Sequence, residues 1–368
     1  MREGLTSATS AASPVEIDGS HGEGGGQILR TSLALSMITG RPLVMRQIRA
    51  GRAKSGLRRQ HLACVQAAAR LCNAHVRGDE VGSKSLDFTP TQGVDAGFDA
   101  WASVIDIDIG SAGSTSLVVQ TVLVPAIVSG RSVRATVHGG THNPMAPPFE
   151  FLERVFLPHL RAMGADATLT LDRHGFATGS GSQASHDEPA RYRGQLTMRV
   201  EPGALAPLEI VEACEVRARK AIAILARLPT HVADREFGVV RERLGFGMHE
   251  CELREVPEGG PANVLMLEVE REGGARELVT GFGERGLRAE AVAERACDAL
   301  AEYLAAGVPV GEHLADQLLL PFALAGSGRF RCAPLSRHAT TNIETIQQFL
   351  DVAIRVEPIG GAVDVIVG

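Results

Sequence analysis

Three stretches of the chain repeat one pattern. "GGGQILRTSLALSMITGRPLVMRQIRAG" (24–51), "GSAGSTSLVVQTVLVPAIVSGRSVRATVHGG" (110–140) and "GEHLADQLLLPFALAGSGRFRCAPLSRHATTN" (311–342) each open at a glycine and run through a mostly apolar helix. Each stops at a glycine (Gly40, Gly130, and Gly326 or Gly328) suited to the left-handed close of a helix, then continues as a short strand studded with arginine. Such repetition restricts the fold more than composition does, because each copy carries an apolar face that its neighbours must cover.

A second helix is expected in every copy. Ser55 would cap "GLRRQHLACVQAAARLC", whose Leu62, Val65, Ala69 and Cys72 recur at helical spacing. Asn143 precedes Pro144 as a cap before a first-turn proline, and Thr341-x-x-Glu344 reads as a capping box. Strands follow: "SLDFTP" and "SVIDIDIG", then "ATLTLDR", then "AIRVEP" and "AVDVIVG". The unit is close to βαβαββ. The expected class is therefore α/β, with three such repeats in a pseudo-threefold arrangement and helices on one side of each sheet.

Residues 204–308 break the pattern between the second and third copies. They read as an inserted α/β domain, with helices at "LEIVEACEVRARKAIAILARL" and "LRAEAVAERACDALAEYLAAG" and strands at "NVLMLEVER" and "RELVTGFG". Its linkers are the Gly/Pro-bearing "EPGALAP" and "AAGVPVG". The repeats then occupy 15–203 and 309–368, after a disordered tail at 1–14. That tail has no apolar core of the kind a secretory signal needs.

Charge separates the parts. Between Gly24 and Gly78 there is no Asp or Glu against ten Arg and Lys, whereas 205–308 carry 19 acids and 13 bases and so hold the whole net charge of −6. The basic block suits a polyanion. With aromatics at only 4%, a base-stacking platform is disfavoured, so phosphates and chain ends are the expected targets. Six scattered cysteines with no C-x-x-C argue against a zinc or disulfide scaffold and for a cytoplasmic setting. No apolar run is long enough for a membrane span, so no membrane partner is expected.

The chemistry is expected where the repeats bring three helix-leading loops together: "RAGRAKS", "HGGTHNP" and "LSRHATTN". Helix N-termini and arginine forks both favour phosphate. The third loop offers His338, a neutral-pH nucleophile just upstream of a helix. "GSHGEGGGQILRTS" (19–32) resembles a phosphate loop, yet has neither a Gly-Lys-Ser/Thr nor the G-x-G-x-x-G spacing. On residue types alone, His338 could be a surface histidine, Glu23 a turn residue, Gln120 a polar spot on a buried helix, and the glycines a close-packing device. K-x-D-G, G-x-S-x-G and H-E-x-x-H are absent, which disfavours lysine nucleotidyl transfer, serine hydrolysis and zinc proteolysis.

Taken together and in order, "HGEGGGQILR", "IRAGRAKSGLRRQHL", "GSAGSTSLVVQTVL", "GGTHNPMAPP", "GEHLADQLLLPFALA" and "SRHATTNIETI" resemble the RNA 3′-terminal-phosphate cyclase family, from about Val15 onward. The resemblance implies ATP and Mg²⁺ or Mn²⁺ as cofactors and an RNA with a 3′-phosphate end as partner. It also implies a three-step reaction, in which His338 takes AMP from ATP and passes it to the RNA phosphate. The ribose 2′-OH then closes a 2′,3′-cyclic phosphate and expels AMP. On the same basis Glu23 is the metal carboxylate, and Gln27 and Arg30 face the ATP phosphates. Arg49 and Arg52 bind the RNA phosphate or the ATP tail. Gln120, Pro147 and the run His313, Leu314, Ala315, Asp316 and Gln317 bind nucleotide, with Asp316 on the adenosine. The family's "GFYPxGGG"-like turn is replaced here by "HGFATGSGSQASHDEP" (174–189). Two alternatives stay open: a non-catalytic cyclase-like RNA-processing factor, which would lack the histidine, and an enolpyruvate transferase of similar repeats. Homodimerisation is open as well.

Overall fold

The structure, a computed structural model, describes residues 13–91, 101–176, 193–257 and 259–368. The altered turn at 174–189 and the N-terminal tail fall largely outside these residues.

The chain opens with β1 (Val15–Asp18), which the helix α1 (Gly26–Thr39) connects to the parallel β2 (Leu43–Arg46). Then come α2 (Arg59–Cys72), β3 (His75–Arg77) and β4 (Leu86–Thr89), completing a sheet of order β1-β2-β4-β3. Alternation sets the register: Val15 pairs with Leu43, and Leu43 with Phe88, so the buried residues share one face.

The same order of connections recurs. β5 (Val104–Asp108) runs parallel to β6 (Val133–Gly139) across α3 (Thr115–Val128). A helical stretch follows: α4 (Phe149–Phe151), a π-helical turn (Leu152–Phe156) and α5 (Leu157–Ala162). β7 (Asp166–Arg173) and β8 (Gly194–Glu201) complete the order β5-β6-β8-β7. The next strand, β9 (Glu209–Ile210), lies parallel to a strand more than a hundred residues later, with a fourth sheet between them in sequence.

That fourth sheet contains β10 (Val216–Ala226), β11 (Cys251–Val256), β12 (Ala262–Arg271) and β13 (Arg276–Phe282), ordered β11-β10-β12-β13. α6 (His231–Leu244) and α7 (Ala289–Ala306) pack together and against it. The chain then makes α8 (Glu312–Ala325), β14 (Gly328–Cys332), α9 (Arg337–Phe349), β15 (Ile354–Ile359) and β16 (Ala362–Val367). With β9 these strands form β15-β16-β14-β9.

Several expectations need correction. "LEIVEACEVRARKAIAILARL" is not a helix; its latter half is β10. Ala221, Ala223 and Leu225 face a core shared with α6 and α7, while Ile222, Ile224 and Ala226 face the main core. A strand buried on both faces reads as a continuous apolar run, and periodicity cannot tell it from a buried helix. "SVIDIDIG" does not close the first unit; as β5 it opens the second, by pairing parallel to β6. Helix starts also shift. α2 begins after Arg58 rather than Ser55. The helix after β6 begins after Pro148, not at Asn143. α9 is capped by Ser336, whose Oγ accepts from Ala339 N–H, so Thr341 lies inside the helix. Among the described residues no helix is long and apolar enough to cross a membrane.

Candidate active site

Gly22 and Gly24 adopt positive φ (58° and 62°), and the loop they form sits on the first turns of α9. A Cβ on Gly22 would overlap the Thr341 hydroxyl, and the Glu23 N–H donates to that hydroxyl at 3.2 Å. Thr341 Oγ1 in turn donates to the Arg337 carbonyl at 2.8 Å. The glycine loop is thus anchored to the helix that carries His338.

His338 is the second residue of α9 and half exposed. Its Nδ1 lies 2.5 Å from Gln27 Oε1. Gln27 Nε2 donates to Asp316 Oδ1, so the amide presents its oxygen to the imidazole. An amide oxygen only accepts, so Nδ1 carries a proton, and in the neutral ring Nε2 carries the lone pair. Asp316 is itself held by Asn342 Nδ2, which donates to Oδ1 at 2.9 Å and to its carbonyl at 3.0 Å. Thr31 Oγ1 closes the chain on Asn342 Oδ1 at 2.8 Å. Burial pushes the Asp316 carboxyl upward, opposed by the hydrogen bonds from Asn342 and Gln27. The free Nε2 faces Glu23, 3.8 Å from Oε1, and Glu23 is ion-paired to Arg52.

Behind the imidazole, α1, α3, α8 and α9 enclose a cavity of about 80 Å³ bounded by Gln27, Arg30, Gln120, Asp316, Gln317 and Asn342. Gln317 Oε1 is buried there without a partner among the described residues. That space holds two or three waters, well short of the few hundred Å³ of a small-molecule pocket. Burial lowers the Arg30 pKa, partly offset by Asp316.

The expected residues divide. Glu23, Gln27, Arg52, Asp316 and His338 come together, and Arg30, Gln120 and Gln317 line the cavity behind them. Gln27 and Asp316 form a line of hydrogen bonds beneath the histidine. Arg49 has φ of 55°, and its Nη1 donates to the carbonyls of Lys54 (2.8 Å) and Gly56 (3.1 Å), bracing its own loop. Leu314 and Ala315 are buried in the main core, and the Ala315 N–H donates to the Gly311 carbonyl at 2.9 Å. His313 is exposed, and neither it nor Pro147 borders the cavity. The sequence pattern gives Asn342 no site role and Thr341 only that of a cap. Once a helix is known to start at Arg337, the spacing His338–Asn342 puts both on one face.

A family model described as RNA 3′-terminal phosphate cyclase matches residues 21–356. The chain is 44% identical over 344 residues to the RNA 3′-terminal phosphate cyclase of Koribacter versatilis (strain Ellin345), covering 93% of this chain and 91% of that protein. It is 45% identical over 343 residues to that of Ectopseudomonas mendocina (strain ymp), covering 92% and 94%. To that of Salmonella paratyphi C (strain RKS4594) it is 44% identical over 355 residues, covering 96% and 97%.

Proposed function

This chain belongs to the RNA 3′-terminal phosphate cyclase family, and from that premise we propose that it closes an RNA 3′-terminal phosphate to a 2′,3′-cyclic phosphate by way of AMP carried on His338. Family membership sets aside the enolpyruvate transferase. The observation that carries the rest is the locked tautomer of His338. Nδ1 is held by Gln27, and Nε2 is left with its lone pair on the open side, beside Glu23.

In the first step Nε2 attacks the α-phosphorus of ATP, forming a P–N bond as the bond to pyrophosphate breaks. Positive charge appears on the imidazole, and the Gln27 oxygen, backed by Asp316, accepts the now more acidic Nδ1–H. In the second, an oxygen of the RNA 3′-phosphate displaces the imidazole from phosphorus, regenerating His338 and forming a mixed anhydride. In the third, the adjacent 2′-OH attacks the RNA phosphorus, AMP leaves with the bridging oxygen, and the hydroxyl proton goes to solvent. Ring closure needs little beyond alignment, since a well-placed neighbouring nucleophile has an effective molarity of order 10⁵ M or more.

Arg30 and Arg52 supply positive charge around the phosphates, and the first-turn N–H groups of α1 and α9 add to it. The described residues contain no group of three or more metal-ligating side chains. Glu23 alone fits Mg²⁺ or Mn²⁺ that takes its other ligands from substrate phosphates and water, as hard cations do. Such an ion would neutralise phosphate charge.

Support for a pseudo-threefold arrangement comes from the shared order β-α-β-α-β-β in three sheets and from the meeting of the corresponding helices α1, α3 and α8 at the cavity. For the inserted domain, expected at 204–308, the pairing of Glu209 and Ile210 with Arg329 and Phe330 of the third unit favours a start nearer 211. All six cysteines are free, which suits the reducing cytoplasm.

The test is an oligoribonucleotide with a labelled 3′-phosphate, incubated with ATP and Mg²⁺ or Mn²⁺. The label should become resistant to phosphatase with wild type and stay sensitive with His338→Ala. Full conversion by the variant, or none by wild type, would overturn the reading.

A further inference from the structure

His61, at the third position of α2, has no part in the scheme above. It is 5% exposed, in the basic block. Its Nδ1 accepts the Arg58 backbone N–H at 3.1 Å, which fixes the tautomer: the ring proton sits on Nε2. Among the described residues no hydrogen bond reaches Nε2. Its direction is given by Gly26, where an added Cβ would overlap Nε2 and come within 3.1 Å of Arg30 Nη1. The imidazole donor and the guanidinium therefore converge on the first residue of α1, a helix of 14 residues whose leading N–H groups have no intrahelical acceptors.

Burial first, then Arg49, Arg30 and Arg58, hold the His61 pKa down at about 3. It is a neutral donor that does not titrate at working pH, set among cations. A positively charged surrounding, a fixed N–H and a helix N-terminus together are complementary to an anionic oxygen.

We infer that His61 Nε2–H is a substrate-binding donor, hydrogen-bonding a non-bridging phosphate oxygen that lies over Gly26 at the start of α1. The inference rests on the cyclase reading for the identity of the substrate. That oxygen belongs either to the triphosphate of ATP or to the RNA terminal phosphate. Glycine at position 26 is what lets the ring come this close, since a Cβ there would collide with the His61 imidazole.

Three variants separate binding from helix capping. His61→Gln keeps an acceptor for the Arg58 N–H and an amide donor, as at the third position of a capping box. His61→Glu keeps the acceptor and replaces the donor by a negative charge, and His61→Ala loses both. Three quantities are read: His338 adenylylation against ATP concentration without RNA, transfer from pre-adenylylated protein to a 3′-phosphate RNA, and pyrophosphate binding by calorimetry. Thermal unfolding of each variant runs alongside.

Expected is a loss of about 10- to 100-fold for His61→Glu and His61→Ala, with His61→Gln recovering most of it and His61→Glu melting with wild type. If the loss appears in the ATP dependence and in pyrophosphate affinity, the oxygen is the nucleotide's. If it appears only in transfer, it is the RNA's. His61→Glu matching wild type in all three measurements overturns the inference. So does equal impairment of all three variants in step with lowered melting temperatures, which marks a helix cap only. A wild type that binds pyrophosphate but never becomes adenylylated would sink the cyclase mechanism instead, and the pyrophosphate comparison would still read out His61.

Discussion

Replacing Gln27 by alanine isolates the line of hydrogen bonds beneath the nucleophile. The ground state changes little, because His338 is half exposed and water can take the place of the amide. The transition state changes more. Charge grows on the imidazole as Nε2 bonds to phosphorus, and a hydrogen bond to a charged group is worth about 1.5–3 kcal/mol. At 1.36 kcal/mol per decade, the adenylylation rate should fall by about 10- to 150-fold. Asp316 keeps its bonds from Asn342, so no charge is stranded and the melting temperature should hold. The assay is single-turnover label transfer from α-labelled ATP at saturating nucleotide. Gln27 acting through His338 lowers this rate constant and leaves the half-saturating ATP concentration near wild type. A Gln27→Ala protein within threefold of the wild-type rate, or one impaired only in ATP saturation, refutes the reasoning.

Arg52→Ala removes the ion-pair partner of Glu23; turnover of 3′-phosphate RNA should weaken by about tenfold, the loss of one charged contact, as measured by steady-state kinetics over RNA concentration. Gly22→Ala forces a side chain into positive φ and onto the Thr341 hydroxyl, so the glycine loop should detach from α9 and slow adenylylation, with unchanged single-turnover kinetics counting against the anchoring role. Glu236 is fully buried, with one oxygen taking a 2.5 Å bond from Asn263 and the other unpartnered among the described residues. Burial lifts its pKa from 4.5 to about 7. Since the folded state prefers the protonated acid, its stability is complete below about pH 4.5 and about 3 kcal/mol is lost as pH rises through 7. Glu236→Gln should therefore melt higher than wild type near pH 8 and show no advantage near pH 5, as read by calorimetry at both values.

How far these features were legible in the chain depends on how local their causes are. The first helices of the three copies and their glycine stops are written in adjacent residues, and they appear as α1, α3 and α8, with Gly40 and Gly326 in the left-handed cap. Helix starts were less legible because two patterns compete within a few residues. Ser336 and Thr341 each fit a cap; Ser336 takes it, while the Thr341 hydroxyl bonds the Arg337 carbonyl and the Glu23 N–H, a partner far away in sequence. β10 was misread because its two faces meet two different cores, which erases the period of two. At the site, it is the family resemblance more than residue types that points to His338, Glu23 and the arginines, and neither shows the hydrogen bonds joining Gln27 to Asp316 and His338. Gln27 lies 311 positions from His338 and 289 from Asp316, so only the folded chain shows that the amide turns the imidazole.

The central claim is that His338 Nε2 is the atom that takes AMP. Protein incubated with ATP and a divalent ion, digested at alkaline pH and mapped by mass spectrometry, tests it most directly. The account predicts one acid-labile AMP adduct on the peptide containing His338, attached at Nε2, absent from His338→Ala and discharged by 3′-phosphate RNA. An adduct on any other residue, or one that RNA does not remove, would contradict it.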